Sequence, residues 1–205
     1  VQLVPDDGGA APAGAGIFSL VQNGTTTTES GVPAALATTS ARIYIDRSAG
    51  HDTGLAVVNT GSSQVTIRAE AFGAAAATVG TGTLTLNANG HAAKFAGSIV
   101  GGLAEGFTGV FEISAPTPFA AVTLRSLTNE RGDFLITTFP VADMTRASPS
   151  PMVFPQVVAG GGYGTEFVLL NAGATEKQVV LRFFDATGKP AAVSTLVVGT
   201  GSAAP

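Results

Sequence analysis

Short runs of alternating apolar and polar residues, separated by glycine, asparagine and proline, recur along most of the chain. A period of two residues is typical of β-strands that bury one face. No stretch repeats its apolar residues over three helical turns, and one short helix is expected between residues 94 and 103. The pattern therefore predicts an all-β fold. Strands are expected at residues 17–22, 25–30, 41–46, 55–59, 64–72, 82–86, 91–95, 109–114, 119–128, 133–138, 153–158, 166–171, 178–185 and 193–198.

One hairpin pattern occurs twice. An apolar run leads into Asn59 and Gly61 and then into an alternating run, and the same order returns at Asn171 and Gly173, 112 residues further on (171 − 59). Such self-similarity indicates a repeated structural unit, and Asn and Gly tolerate the backbone of a tight turn. We therefore expect two immunoglobulin-like β-sandwich modules. The predicted division is an N-terminal arm (1–16), a first module (17–145), a linker (146–164) and a second, truncated module (165–205).

Positions on one side of the alternating runs are predicted to be buried, because a one-sided strand places every second residue in the core. In the strand at 41–46, Ile43 and Ile45 share one face. The predicted core of the first module is Leu55, Val57, Val65, Ile67, Phe111, Ile113, Val122, Leu124, Phe134 and Ile136, and that of the second is Val168, Leu170, Val179, Leu181 and Phe183.

Two short motifs have both a structural and a functional interpretation. Asn23 and Gly24 form the strongest short hairpin signal in the chain, although Asn23 also begins a glycosylation sequon that ends at Thr25. Residues 131–133 have the sequence Arg-Gly-Asp, which some adhesion receptors recognise. Chance matches to three-residue motifs are common, and both motifs lie between alternating runs. A hairpin turn is therefore favoured at each.

Composition narrows the classes of partner and compartment. The 205 residues have a net charge of −4, and the ten basic residues are scattered, which argues against a nucleic-acid partner. The absence of cysteine excludes disulfides and thiolate metal sites. Glycine and threonine interrupt every apolar stretch, so no membrane insertion is expected. A composition rich in Ala, Gly and Thr but poor in Lys is typical of extracellular or cell-surface bacterial proteins. Residues 1–7 lack the basic start and apolar core of a signal peptide, so a secreted form would be a mature chain.

Titratable residues are dispersed rather than grouped for chemistry. Neither His51 nor His91 has a second histidine or a carboxylate pair at ligand spacing, which favours solvated positions. The chain has no Gly-x-Ser-x-Gly nucleophile motif, and the glycines at 160–164 lack the helix and lysine of a phosphate loop. The sequence thus predicts no enzyme and no cofactor. Two carboxylate pairs would supply oxygens for weak calcium binding at most: Asp6 with Asp7, and Asp46 with Asp52.

Several segments together resemble a known kind of module. They are Ile-Phe-Ser-Leu-Val-Gln-Asn-Gly at 17–24, Glu-Ser-Gly-Val-Pro-Ala at 29–34, Ala-Arg-Ile-Tyr at 41–44, Gly-Leu-Ala-Val-Val-Asn at 54–59, Asn-Glu-Arg-Gly-Asp-Phe-Leu-Ile-Thr-Thr at 129–138, Phe-Pro-Gln at 154–156 and Gly-Gly-Gly-Tyr at 160–163. The chain resembles, over nearly its whole length, an uncharacterised module of large secreted repeat proteins of environmental bacteria. The resemblance implies an extracellular β-sandwich without catalytic residues.

The functional expectation is an extracellular structural protein that forms a head-to-tail surface fibre by strand complementation. The second module is about 50 residues shorter than the first (91 − 40 = 51), so it is predicted to lack strands, and the arm offers strand-like runs at 1–4 and 17–22. The predicted donor residues are Val1, Leu3, Val4, Ile17, Phe18 and Leu20, and the predicted acceptor residues are Phe167, Leu169, Leu196 and Val198.

Two alternatives stay open at this stage. The arm could fold back within its own chain and give a closed monomer. The protein could also be an adhesion module that binds carbohydrate or another surface ligand, because loops on a sandwich are common binding sites. Two tyrosines and no tryptophan argue against a sugar platform. The expected partners are further copies of the chain, with other surface proteins or polysaccharide as additional candidates.

Overall fold

The computed structural model describes residues 1–73, 77–147, 150–171 and 177–192. The described residues form ten strands and a single helical turn, and every strand pair among them is antiparallel, so the all-β prediction is confirmed. The elements are β1 (Ala15–Gln22), β2 (Thr25–Pro33), β3 (Thr38–Asp46), β4 (His51–Asn59), β5 (Val65–Phe72), β6 (Thr78–Leu86), β7 (His91–Phe95), α1 (Ala96–Ile99), β8 (Thr108–Thr128), β9 (Phe134–Pro140) and β10 (Ala142–Asp143).

The long strand β8 connects two sheets. Its first half, 108–114, pairs with β3 on one side and, over 110–114, with β5 on the other. Its second half pairs with β4 on one side, over 119–127, and with β9 on the other, over 122–128. The partners change around Pro116 and Pro118, which have no N–H to donate to a ladder. Hydrogen bonds through β8 link all eight strands. We call the half β10-β3-β8-β5-β6 the first sheet and the half β9-β8-β4-β7 the second sheet. The two strands predicted at 109–114 and 119–128 form one continuous strand.

The hydrophobic core lies between these sheets. Ile43 and Ile45 of β3, Leu55 of β4, Ile67 of β5 and Phe111 of β8 are each at most 1% exposed and belong to one cluster. Such packing of two antiparallel sheets is a β-sandwich. Seven predicted core residues of the first module are buried: Leu55, Val57, Val65, Ile67, Phe111, Ile113 and Val122.

The predicted face is wrong in the second half of β8. Phe119 and Ala121 belong to the central cluster, so Val122 and Leu124 point to the opposite face of the second sheet. Residues 119–122 are apolar on both faces, and the inward-facing Thr123 is polar although it is buried, which hides the correct phase from a pattern-based prediction. Leu124 is only half-buried, as are two predicted core residues of the neighbouring strand β9, Phe134 and Ile136.

The hairpin predicted at Asn23 and Gly24 is confirmed. These residues have φ angles of 51° and 77°, the left-handed values that a two-residue hairpin turn requires. Strand β2 lies beside β9, where the Thr28 hydroxyl donates to the Ile136 carbonyl and accepts from the Ile136 N–H at 3.3 and 3.2 Å. The Thr138 hydroxyl donates to the Gly31 carbonyl at the same boundary. The hairpin is thus attached through β2, with β1 on its outer side.

Residues 150–171 and 177–192 differ most from expectation. They contain two isolated bridges, Gly160 with Tyr163 and Phe184 with Pro190, and no strand. The strands predicted at 153–158, 166–171 and 178–185 are therefore not formed, and the one at 193–198 lies outside the described residues. The apolar runs have no neighbouring strand to pair with, and an unpaired run has no ladder to stabilise it. Of the core predicted there, Val168 and Val179 are exposed, and Leu170, Leu181 and Phe183 are half-buried.

Two smaller expectations are also corrected. Residues 1–4 have no regular structure. The helix expected between 94 and 103 is a single turn, Ala96–Ile99, because Gly97 weakens it and Gly101 and Gly102 follow it.

Candidate functional site

The first four residues of the predicted donor arm are uncovered. Leu3 and Val4 are 65% and 69% exposed, and Val1 is fully exposed. The described arm makes one local turn, in which the Gly8 N–H donates to the Pro5 carbonyl at 3.3 Å and Asp7 accepts from the Gly9 N–H at 2.9 Å. The apolar side chains at 1–4 therefore gain little burial within their own chain.

The other three predicted donor residues lie in β1. Ile17 is 72% exposed, whereas Phe18 and Leu20 are half-buried. Strand β1 pairs with β2 from Ala15 to Gln22, so these residues already have a strand neighbour on one side. The predicted arm thus consists of an unpaired segment at 1–4 and a paired strand whose donation would require the hairpin to open.

The predicted acceptor residues lie in and beside an aromatic cluster. Phe167 makes edge-to-face contacts with Phe154 and Phe183, with ring centroids 5.0 and 6.2 Å apart. Such contacts add to the stabilisation from burial. We call Phe154, Phe167 and Phe183 the phenylalanine cluster. Leu169 is 47% exposed. The remaining predicted acceptors, Leu196 and Val198, lie outside the described residues.

Apolar side chains around the phenylalanine cluster are widely exposed. Part of this region belongs to the linker predicted at 146–164, and the sequence pattern does not predict the contact between Phe154 and Phe167. The one feature that indicates a buried or interacting segment there is the apolar run at 152–154. Large exposed apolar patches indicate interaction sites. The exposed large apolar side chains of this region are Met152, Val153, Phe154, Val157, Val158, Tyr163, Val168, Leu169, Val179, Val180 and Phe184.

A buried arginine attaches this region to the sandwich. Arg42 of β3 is 6% exposed, and its Nη1 donates to the Asn171 carbonyl at 2.8 Å. Its Nε and Nη2 donate to Oε2 of Glu112 on β8 at 3.1 and 3.0 Å. Nearby, burial raises the pKa of Tyr44, and the carboxylates of Asp46 and Glu166 add to the rise. These contacts place residues 166–171 beside the outward face of β3.

A polar cluster lies where β3 turns into β4. The Ser48 hydroxyl donates to Asp46 Oδ1 at 2.6 Å, and Arg125 Nη2 donates to Asp46 Oδ2 at 3.0 Å. Burial raises the pKa of Asp46, but the hydrogen bonds from Ser48 and Arg125 outweigh it and hold the pKa below its usual range. His51 Nδ1 is 3.0 Å from the Ser48 carbonyl and 3.8 Å from Asp46 Oδ2. The serine thus donates to the carboxylate rather than to the imidazole, which differs from the wiring of a nucleophilic triad.

An open cleft of about 230 Å³ adjoins this cluster. Within it, Arg47 Nε is 3.3 Å from Asp52 Oδ1, so the cleft's charges partly neutralise each other. No group of three or more His, Cys, Asp or Glu side chains is arranged as a metal site in the described part of the chain. The cleft's lining residues are Arg47, Gly50, His51, Asp52, Glu105 and Thr128.

The turn at the Arg-Gly-Asp motif is formed as predicted. Asn129 Oδ1 accepts from the N–H groups of Arg131 and Asp133 at 3.0 and 2.9 Å, and Gly132 has a φ of 80°. Hydrogen bonds from Asn129 and Arg131 lower the pKa of Asp133. The arginine and the aspartate are therefore bonded to each other, at 2.9 Å, within the turn.

No family model, curated protein or solved structure matches the chain. Over the residues that the structure describes, no helix is long and apolar enough to cross a membrane.

Proposed function

We propose that this protein is an extracellular structural subunit that assembles head to tail into a surface fibre by strand complementation. The observation that supports this most is the coexistence of two incomplete parts in one chain. Residues 1–4 expose apolar side chains without a partner, and the described residues from 150 onwards expose many apolar side chains without a strand ladder. Each part could supply the burial that the other lacks.

The donor is the segment 1–4 of a neighbouring copy, which adds as a strand beside residues 166–171. In an extended strand, Val1 and Leu3 lie on one face, and they pack against Phe167 and Leu169. Main-chain hydrogen bonds form the ladder, and the alternate side chains fit the apolar surface. In this proposal the sandwich is the first immunoglobulin-like module, and residues 165–205 become the second when the donor binds.

The arm is long enough for exchange between copies. Ten residues, 5–14, separate the donor segment from β1 and span up to about 35 Å when extended. Head-to-tail contact between unlike surfaces propagates as an open fibre when the rotation between successive copies does not close a ring, and in this proposal it stays open. The chain's composition, with 12% charged residues and no cysteine, is compatible with an extracellular polymer.

The test uses one pair of neighbouring substitutions. Leu3→Lys places a charge on the face that enters the acceptor, whereas Gln2→Lys places the same charge on the opposite face. We expect negative-stain microscopy to show fibres for the unmodified chain and for Gln2→Lys, and dispersed particles for Leu3→Lys. The proposal fails if the unmodified chain sediments as a monomer at high concentration, or if Leu3→Lys polymerises equally well.

A further inference from the structure

Strand β1 is the least protected sheet edge in the described part of the chain. Its eight residues contain no charge and no proline, the two features that commonly block pairing at an edge. Other edges are weaker templates: β10 has two residues, β7 has five and contains Lys94, and β6 contains two glycines, Gly80 and Gly82, against one, Gly16, in β1. An uncharged, unbroken edge is where another strand would add most readily.

The outer edge of β1 is both regular and apolar. Among the described strands, β1 pairs with β2 alone. The irregularity in that pair lies in β2, where Leu20 pairs with Thr28 and Val21 with Thr26, so Thr27 is the additional residue and β1 stays straight. On the outward face, Ile17 and Val21 are 72% and 58% exposed on either side of Ser19.

From this geometry we propose that a second copy of the chain pairs with β1 through its own β1, antiparallel and centred on Ser19. This register places Ile17 of each copy opposite Val21 of the other, and Phe18 opposite Leu20. Directly opposed apolar and β-branched pairs stabilise antiparallel strands. The strand is therefore complementary to itself, and the two hairpins become one four-stranded sheet, which is more stable than two separate two-stranded ones.

Charge does not oppose a second copy at this edge, because β1 itself contains no charged residue. The chain has a net charge of −4, so two copies repel each other over much of their surfaces. The nearest carboxylate, Glu29, lies one strand inward and accepts from the Ser19 hydroxyl at 2.9 Å. The Glu29 residues of the two copies would be three strand spacings apart, roughly 14 Å. This exceeds the screening length of about 10 Å at 0.1 M salt.

The pairing is two-fold and closed, so it yields a dimer and stops. It does not involve residues 1–4 or the phenylalanine cluster. The inference therefore stands independently of head-to-tail assembly; if both occur, pairing through β1 links two fibres side by side.

Disulfide trapping tests the register, because the chain has no cysteine of its own. Under the proposed register, Ser19→Cys brings two thiols to directly opposite positions, with Cα atoms about 4.5–5.5 Å apart, which a disulfide can bridge. In Ile17→Cys the two thiols are four residues apart along the strands, about 13 Å, which is too far. We expect a covalent dimer from Ser19→Cys after mild oxidation and none from Ile17→Cys. The proposal is overturned if Ser19→Cys gives no covalent dimer, or if Ser19→Cys and Ile17→Cys give equal amounts of it.

A charge exchange tests the pairing without a covalent bond. A double variant, Ile17→Lys with Val21→Lys, places a lysine of one copy opposite a lysine of the other. Sedimentation velocity should then show a dimer that is at least tenfold weaker. Ile17→Lys with Val21→Glu places opposite charges together and should restore the dimer. Val79→Lys, at a 51% exposed position on β6, is the matched control and should leave the dimer unchanged. A dimer that persists in the double-lysine variant, or that is lost in both double variants, contradicts the register.

Discussion

Replacing Ile67 by alanine is expected to destabilise the sandwich strongly. Ile67 lies on β5, is 1% exposed, and belongs to the cluster between the two sheets. It pairs with Leu84 of β6, which is also buried. Because both sheets contribute to the packing around it, the cavity left by the substitution can collapse only partly.

The expected cost follows from the groups removed. Truncation to alanine deletes three buried carbon groups, which at about 0.8 kcal/mol each amounts to about 2.4 kcal/mol of lost transfer free energy. The residual cavity adds to this, and measured large-to-small core changes cost about 2–5 kcal/mol. A domain of this size would lose roughly 10 °C in melting temperature for about 3 kcal/mol.

The assay is urea unfolding followed by circular dichroism, with Val180→Ala as the control. Val180 is 79% exposed, so its truncation should change the free energy of unfolding by no more than about 0.5 kcal/mol. The midpoint should shift with an unchanged slope, since the same surface is exposed on unfolding. The assignment of the core to the space between the sheets is wrong in either of two cases. In the first, Ile67→Ala unfolds at the same urea concentration as the unmodified chain; in the second, Val180→Ala lowers the free energy of unfolding as much as Ile67→Ala does.

Two further predictions concern the polar groups around β3. The folded-state pKa of Asp46 is lowered, so its contribution to stability is present above the unfolded pKa of about 4 and is lost as pH falls through the folded pKa. Asp46→Asn should therefore flatten the decline of the unfolding free energy in acid, as measured by urea titrations from neutral pH down to about pH 2; an unchanged acid profile would contradict the assignment. Arg42→Met removes the hydrogen bond to the Asn171 carbonyl and should make residues 166–171 more susceptible to limited proteolysis, with Arg131→Met as the exposed control. Equal cleavage of both variants and the unmodified chain would show that Arg42 does not hold this segment.

Much of the fold is encoded locally and could be predicted. Alternating polarity identified the strands of the sandwich, because a strand with one buried face shows that pattern in its own sequence. The hairpin at Asn23 and Gly24 was equally accessible, since left-handed backbone angles favour those residue types. Ile43 and Ile45 were placed on one face, and both are buried.

The candidate site was less predictable. The exposed position of Leu3 and the packing of Phe167 against Phe154 depend on where distant parts of the chain lie. Phe154 was assigned to a linker because proline and glycine surround it. Nothing in the local pattern indicates which aromatic residues will meet across a linker.

Pairing was decided by tertiary structure alone. The runs at 55–59 and 167–171 have almost the same local pattern, yet the first lies in β4 between β7 and β8, and the second has no strand neighbour among the described residues. Similarly, residues 119–122 are apolar on both faces, and only the packing of Phe119 between the sheets shows which face is inside. Alternation determines that a segment can be a strand. Its hydrogen bonds and its buried face come from neighbours distant in sequence, so the sequence by itself determined the strand-forming segments and the tertiary structure determined which of them became strands.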